Sequence, residues 1–103
     1  MKVRYLAEAL AELEAAACWF DDHSPGAGDD FVQAIERAEL LVAATPHTWP
    51  MWPGARSGVR RYLVPGQQHA IGYEIVGDEV VILAVVHQRR RPGYWFERRD
   101  RAP

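Results

Sequence analysis

The residues with the greatest chemical reach lie together at the end of the chain, in His87-Gln-Arg-Arg-Arg-Pro-Gly-Tyr-Trp-Phe-Glu-Arg-Arg-Asp-Arg-Ala-Pro103. An arginine fork recognises carboxylate or phosphate oxygens in pairs, and histidine titrates near neutrality, so it can pass protons. Arg89, Arg90, Arg91 and Arg98 are therefore candidate anion-binding groups, with the rings of Tyr94 and Trp95 between them. A second pair, Arg60-Arg61, sits in a strand-like stretch. Side chains alternate sides along a strand, so only one of this pair can share a surface with Arg89 or Arg91. His87 ends an apolar run, where a hydrogen-bonded structural histidine is the plainer reading beside a catalytic one. At least one of the Tyr94 and Trp95 rings is expected to fold back onto the core, because large rings bring much burial. Arg98, Arg99 and Arg101 read as a solvated tail, or as target-binding groups if they form a short helix.

Other site chemistry finds little support. His23, His47, His69 and His87 lie far apart in the sequence, and Cys18 is the only cysteine, so neither a zinc site nor an internal disulfide is expected. No glycine pattern follows a strand and opens a helix as a nucleotide loop would. Ser24 and Ser57 stand in no nucleophile elbow. Glu8 and Glu12 share a helix face, where such spacing reads as ordinary solvation. No metal or cofactor is expected.

Charge is divided unevenly. The chain of 103 residues carries a net −2, yet residues 1–52 hold nine acids against three basic groups, while residues 53–103 hold nine arginines against five acids. Lys2 is the only lysine. The basic half either complements the acidic helices internally or serves an anionic partner. A hydrophobic fraction of 49% with four tryptophans supports a real core, and the length fits a single domain spanning 1–103. No apolar run approaches the ~18 residues of a membrane helix, and the early acid Glu8 argues against a signal peptide. The lone cysteine suits a reducing compartment, so a cytoplasmic location is expected.

These residues must be positioned by the elements before them. Lys2–Tyr5 suits a short edge strand. From Leu6 the period is helical, with Leu6, Leu10, Leu13, Ala17 and Phe20 in one stripe and Glu8, Glu12 and Trp19 on the opposite face. The breaker-rich stretch 21–28 reads as a loop, and Asp29 and Asp30 start a second helix whose stripe is Phe31, Ile35, Ala38 and Val42. The stretch 45–58 is a loop whose Trp49, Met51 and Trp52 suggest that it packs down. Three strands follow at 59–64, 70–76 and 79–86, the last two joined by a Gly77-Asp78 hairpin turn. The fold class is α+β, ordered β-α-α-β-β-β, with a helical hairpin on a small, largely antiparallel twisted sheet. The last strand is apolar on both faces, and a single helical hairpin covers one. The other, with Val81, Leu83 and Val85, awaits the tryptophan loop, the C-terminal aromatics or another chain.

In these blocks the chain resembles the RelE/ParE superfamily of bacterial type II toxins, the plasmid-stabilisation toxins. The resemblance rests on Glu12-Leu-Glu-Ala-Ala-Ala-Cys-Trp-Phe20 with Pro25-Gly-Ala-Gly28 and Phe31, then Pro46 and Trp49-Pro50, Val59-Arg-Arg-Tyr62 and Ala70-Ile-Gly-Tyr73. The ending adds Val85-Val-His87, Arg91-Pro-Gly-Tyr-Trp95 and Arg98. It implies a toxin neutralised by a cognate antitoxin in a hetero-oligomer, with Trp19, Val81, Leu83 and Val85 as antitoxin-binding residues and no membrane association.

For the target, the superfamily offers two activities. ParE-like members trap DNA gyrase and are not enzymes, which implies target binding by Arg89, Arg90, Arg91, Tyr94, Trp95 and Arg98. RelE-like members cut mRNA on the ribosome, which implies catalysis by Arg60, Arg61, His87, Arg89 and Tyr94. Metal-free RNA cleavage needs a base, an acid and cations around the phosphorane. The lysines that RelE-like sites use have no counterpart here, and a net negative chain suits a ribosomal RNA site poorly. The Pro-Gly-Tyr-Trp ending also favours the ParE-like reading. A degenerate member that binds its antitoxin without toxicity is the third alternative.

Overall fold

A four-residue strand leaves half of its neighbour's edge uncovered, and the rest of the architecture is arranged around that gap. The computed structural model describes residues 1–99; Arg101, read above as part of a cationic tail, lies outside the described residues. The elements are β1 (Lys2–Tyr5), α1 (Ala7–His23), α2 (Ala27–Ala44), β2 (Arg60–Leu63), β3 (His69–Val76) and β4 (Glu79–His87). The sheet order is β1-β4-β3-β2. β2, β3 and β4 form an antiparallel meander, and β1 joins parallel to β4 through the pairs Lys2↔Glu79 to Tyr5↔Ile82. The expected α+β order, with a helical pair on a small, largely antiparallel sheet, is the observed one.

The helices follow the periodicity with two shifts. α1 continues to His23 and α2 begins at Ala27, so the connection is three residues instead of eight. Gly26 turns the chain at φ 86°, a left-handed conformation that glycine adopts without penalty. The buried face of α1 is also rotated: Ala9 is fully buried, whereas Leu10, expected in the stripe, is 43% exposed. Small alanines therefore let α1 lie close to the sheet. α2 behaves as expected and buries Phe31, Ala34, Ile35, Ala38 and Val42.

Both faces of β4 are sealed by the molecule itself, which corrects the expectation of an apolar sheet flank left for a partner. Val81 and Leu83 have no exposure, and Val85, although buried, contributes to the lining of a groove beside α1. α1 packs on β4 on one side. On the other side the indole of Trp95, only 2% exposed, lies over Gly72 of β3, where any Cβ would collide with it. The loop between α2 and β2 supports this layer. Trp52 meets Trp95 edge-on at 4.7 Å, Trp49 meets Tyr62 edge-on at 4.7 Å, and the Tyr73 hydroxyl donates to the Pro46 carbonyl at 2.6 Å. Met51 departs from the expected packing and is half exposed. After β4 the chain runs in successive turns to Glu97, with no helix among the described residues.

The fit of Trp95 against a bare backbone gives a direct test of this packing. Gly72→Ala inserts a methyl group where the indole already lies, and overpacking of this kind costs about 1–3 kcal/mol. Urea denaturation is expected to show that loss, with near-ultraviolet circular dichroism reporting the displaced indole. A Gly72→Ala chain as stable as its parent contradicts the proposed close approach.

Candidate functional site

The fold sorts the arginines into two groups. Arg60 donates to the carbonyls of His47 and Trp49 at 3.2 and 2.6 Å, so it fastens the tryptophan loop to β2. Arg56 donates to the carbonyls of Phe96 and Arg98 and to the Glu74 carboxylate at 2.9–3.0 Å, holding the C-terminal turns against the sheet. Arg98 pairs with Glu12 at 2.7 Å. These three are structural. Arg61, by contrast, has a buried Nε without a hydrogen-bond partner among the described residues, and its guanidinium lies 5.9 Å from the Trp52 ring centroid.

Arg61 is the member of the Arg60–Arg61 pair that shares a surface with the C-terminal arginines. It lines a pocket of about 270 Å³ with Arg90 and Arg91, between Trp52, Trp95 and Tyr94. Leu63, Ala70 and Val86 supply apolar lining, and none of the lining residues carries a carboxylate. The Arg90 guanidinium lies 4.8 Å from the Tyr94 ring centroid. Two of these cations are thus held against aromatic rings, which limits their motion without neutralising them. Arg89 is exposed and does not line this pocket; its backbone N–H donates to His87 Nδ1 at 3.0 Å.

Tyr94 and Arg98, read as target-binding groups, converge instead on Glu12. The Tyr94 hydroxyl donates to Glu12 Oε2, and the Arg98 guanidinium reaches both Glu12 oxygens. The pair also satisfies the edge of β4 beyond β1: Val85 N–H donates to Glu12 at 3.1 Å, and Arg98 donates to the Leu83 carbonyl at 3.1 Å. Glu12 therefore corrects the reading of a merely solvated acid. Burial first, then the bond to Glu12, holds the Tyr94 phenol well above the ordinary tyrosine value, so it keeps its proton. Trp95 is likewise a core residue rather than a contact surface.

A second, larger depression of about 810 Å³ runs between α1 and the open end of the sheet. Ala11, Ala15 and Ala16 form one wall, Val85 and His69 line it, and Trp19 stands at it with 56% exposure. His23 stacks on Trp19 at 3.9 Å and steadies it. His87, Arg90 and Tyr94 line both depressions and form their common rim. Of the residues singled out from the sequence, Arg61, His87, Arg90, Arg91, Tyr94 and Trp95 are brought together, while Arg60, Arg89, Arg98 and Trp19 are not part of the cationic pocket. Sequence reasoning missed Trp52 as its wall and Glu12 as the tether behind it. Among the described residues, no three histidine, cysteine or acidic side chains could hold a metal ion, and no helix is long and apolar enough to cross a membrane.

Residues 3–92 match the family described as "ParE toxin of type II toxin-antitoxin system, parDE". No curated protein matches the chain in sequence. Among solved structures, the chain is similar to one from P. aeruginosa titled "Chromosomal ParDE TA system", with a TM-score of 0.74 and 19% identity, over 84% of this chain and 95% of that one. At this identity the likeness concerns the fold.

His69 gives the site a pH signature. It is 7% exposed and packed against Phe20, Phe31 and His87, with Nδ1 unpartnered among the described residues. Burial, and next the neighbouring His87, lowers its pKa to about 4 from the ordinary histidine value of 6.5. Between these values the unfolded chain binds the proton that the folded chain refuses, so stability is complete above pH 6.5 and falls as the pH drops toward 4. Urea unfolding across this window is expected to show a His69 contribution with a slope approaching ~1.4 kcal/mol per pH unit. His69→Gln should remove that contribution, and an unchanged slope contradicts it.

Proposed function

The chain belongs to the ParE toxin family of type II toxin–antitoxin systems, and from that premise we propose that it poisons DNA gyrase and is held inactive by a cognate antitoxin. The observation that carries the reading is the cluster of Arg61, Arg90 and Arg91, cations at one pocket without a carboxylate partner among the described residues. Such a group suits binding to an anionic complex. It suits catalysis less well, because Tyr94 retains its proton against Glu12 and Arg60 is committed to backbone carbonyls. RNA cleavage without a metal needs both an acid and a base beside the phosphate, and His87 is the one such candidate lining the pocket.

The antitoxin reading rests on the larger depression. Its alanine wall lets another backbone approach closely, and Trp19 offers a large ring of the kind that dominates interface energies. An amphipathic segment of the antitoxin fits such a groove. Seated there, it would also lie against Arg90 and Tyr94 at the common rim, which links docking to inactivation.

Inducing the toxin without its antitoxin is expected to accumulate gyrase-dependent DNA breaks while messenger RNA stays intact. Purified toxin should raise the yield of cleaved DNA from gyrase, and no change at saturating toxin rejects the gyrase target. Codon-linked cuts in mRNA would instead establish the ribosome as target, and harmless expression would mark a chain that has lost toxicity. For the antitoxin, Trp19→Asp is expected to weaken complex formation at least tenfold by titration calorimetry, on the scale of a buried aromatic anchor. Equal affinity for the variant and the parent chain places the antitoxin elsewhere.

A further inference from the structure

We infer that the pocket between Arg61 and Arg90 binds a backbone phosphate of single-stranded DNA, so that the toxin touches nucleic acid directly as well as protein. The inference rests on the gyrase reading and deepens it: the contact it names is the DNA strand opened by the enzyme.

Three features of the pocket support it. The cationic groups are all guanidinium, whose planar forks match the oxygens of a phosphodiester in pairs. The Arg61 guanidinium lines the pocket and has no carbonyl or carboxylate acceptor among the described residues, so its charge is available to an anionic ligand. Arg61 and Arg90 are each set against a ring, at Trp52 and Tyr94, so little freedom remains to be lost on binding. The Arg56, Arg60 and Arg98 guanidiniums show what this fold does with arginines it uses internally: each has carbonyl or carboxylate acceptors within 2.6–3.3 Å.

The shape of the pocket favours nucleic acid over an acidic peptide. About 270 Å³ lies below the range typical of drug-sized ligands. That space suits one nucleotide's phosphate and sugar. Leu63, Ala70 and Val86 present carbon next to the cations, as the face of a deoxyribose beside its phosphate requires. A net charge of −2 on the whole chain means that attraction is local, so a short strand is the appropriate ligand.

Fluorescence anisotropy with a fluorescein-labelled octathymidylate and the full chain tests the proposal. Arg61→Gln and Arg90→Gln are each expected to weaken binding about tenfold or more, while Arg37→Gln on α2 leaves it unchanged. The logarithm of the affinity should fall with the logarithm of salt at a slope of roughly −0.7 per phosphate neutralised. Near-ultraviolet circular dichroism verifies that Trp52 and Trp95 keep their environment, and Arg90, being exposed, provides a variant with little folding risk. Undetectable binding by the wild-type chain, unaltered affinity in both pocket variants, or equal competition by an octaglutamate peptide would overturn the proposal. Gyrase cleavage measured in parallel separates the two readings. Poisoning without oligonucleotide binding rejects the phosphate pocket alone, whereas binding without poisoning rejects gyrase as target and keeps the pocket.

Discussion

A buried strand whose edge outlasts its neighbour sets the terms for this molecule. β1 pairs with Glu79–Ile82, but β4 continues to His87, and buried backbone amides and carbonyls along that remainder need partners. Among the described residues no further strand supplies them. Instead, α1 contributes Glu12 to the Val85 amide and the C-terminal turns contribute Arg98 to the Leu83 carbonyl. The two side chains neutralise one another as they do so, which removes the cost that either charge would carry alone in a half-buried position. One ion pair thus closes the sheet edge, ties the C-terminal segment to the first helix and holds Tyr94 in place.

That tether determines which cations remain for a partner. Arg56 and Arg60 fix the loop and the C-terminal turns from the other side of the sheet, so the segment bearing Arg90 and Arg91 leaves a braced platform. The uncommitted guanidiniums gather beside Trp52 and Tyr94, on the rim of the larger alanine-walled groove. The two depressions share His87, Arg90 and Tyr94 in their linings. Competition between two partners can therefore arise from geometry alone, without a change of fold.

Much of this was legible in the residues, and the exceptions have specific physical causes. Strand alternation separated Arg60 from Arg61, the Gly77-Asp78 turn fixed the last hairpin, and the acids at 29 and 30 marked the start of α2. The rotation of α1 was not legible, because alanine reads as neutral in a hydrophobic stripe although Ala9 is the residue that α1 buries fully. Glu12 misled for a related reason: a carboxylate on a helix looks solvated until a partner 86 residues away reaches it. The expectation of an uncovered flank failed on Trp95. Its alternatives included the C-terminal aromatics, but local pattern could not reveal that Gly72 clears the space for that ring.

The indole over Gly72 also bears on how the chain is made. Every described helix and strand precedes Trp95 in the order of synthesis, so each can leave the ribosome while the sheet still lacks its outer cover. During that interval Arg61 has no facing wall, and the guanidiniums that meet around it are not yet a group. The pocket around these cations is therefore complete only once Trp95 has docked, after every described helix and strand has been made.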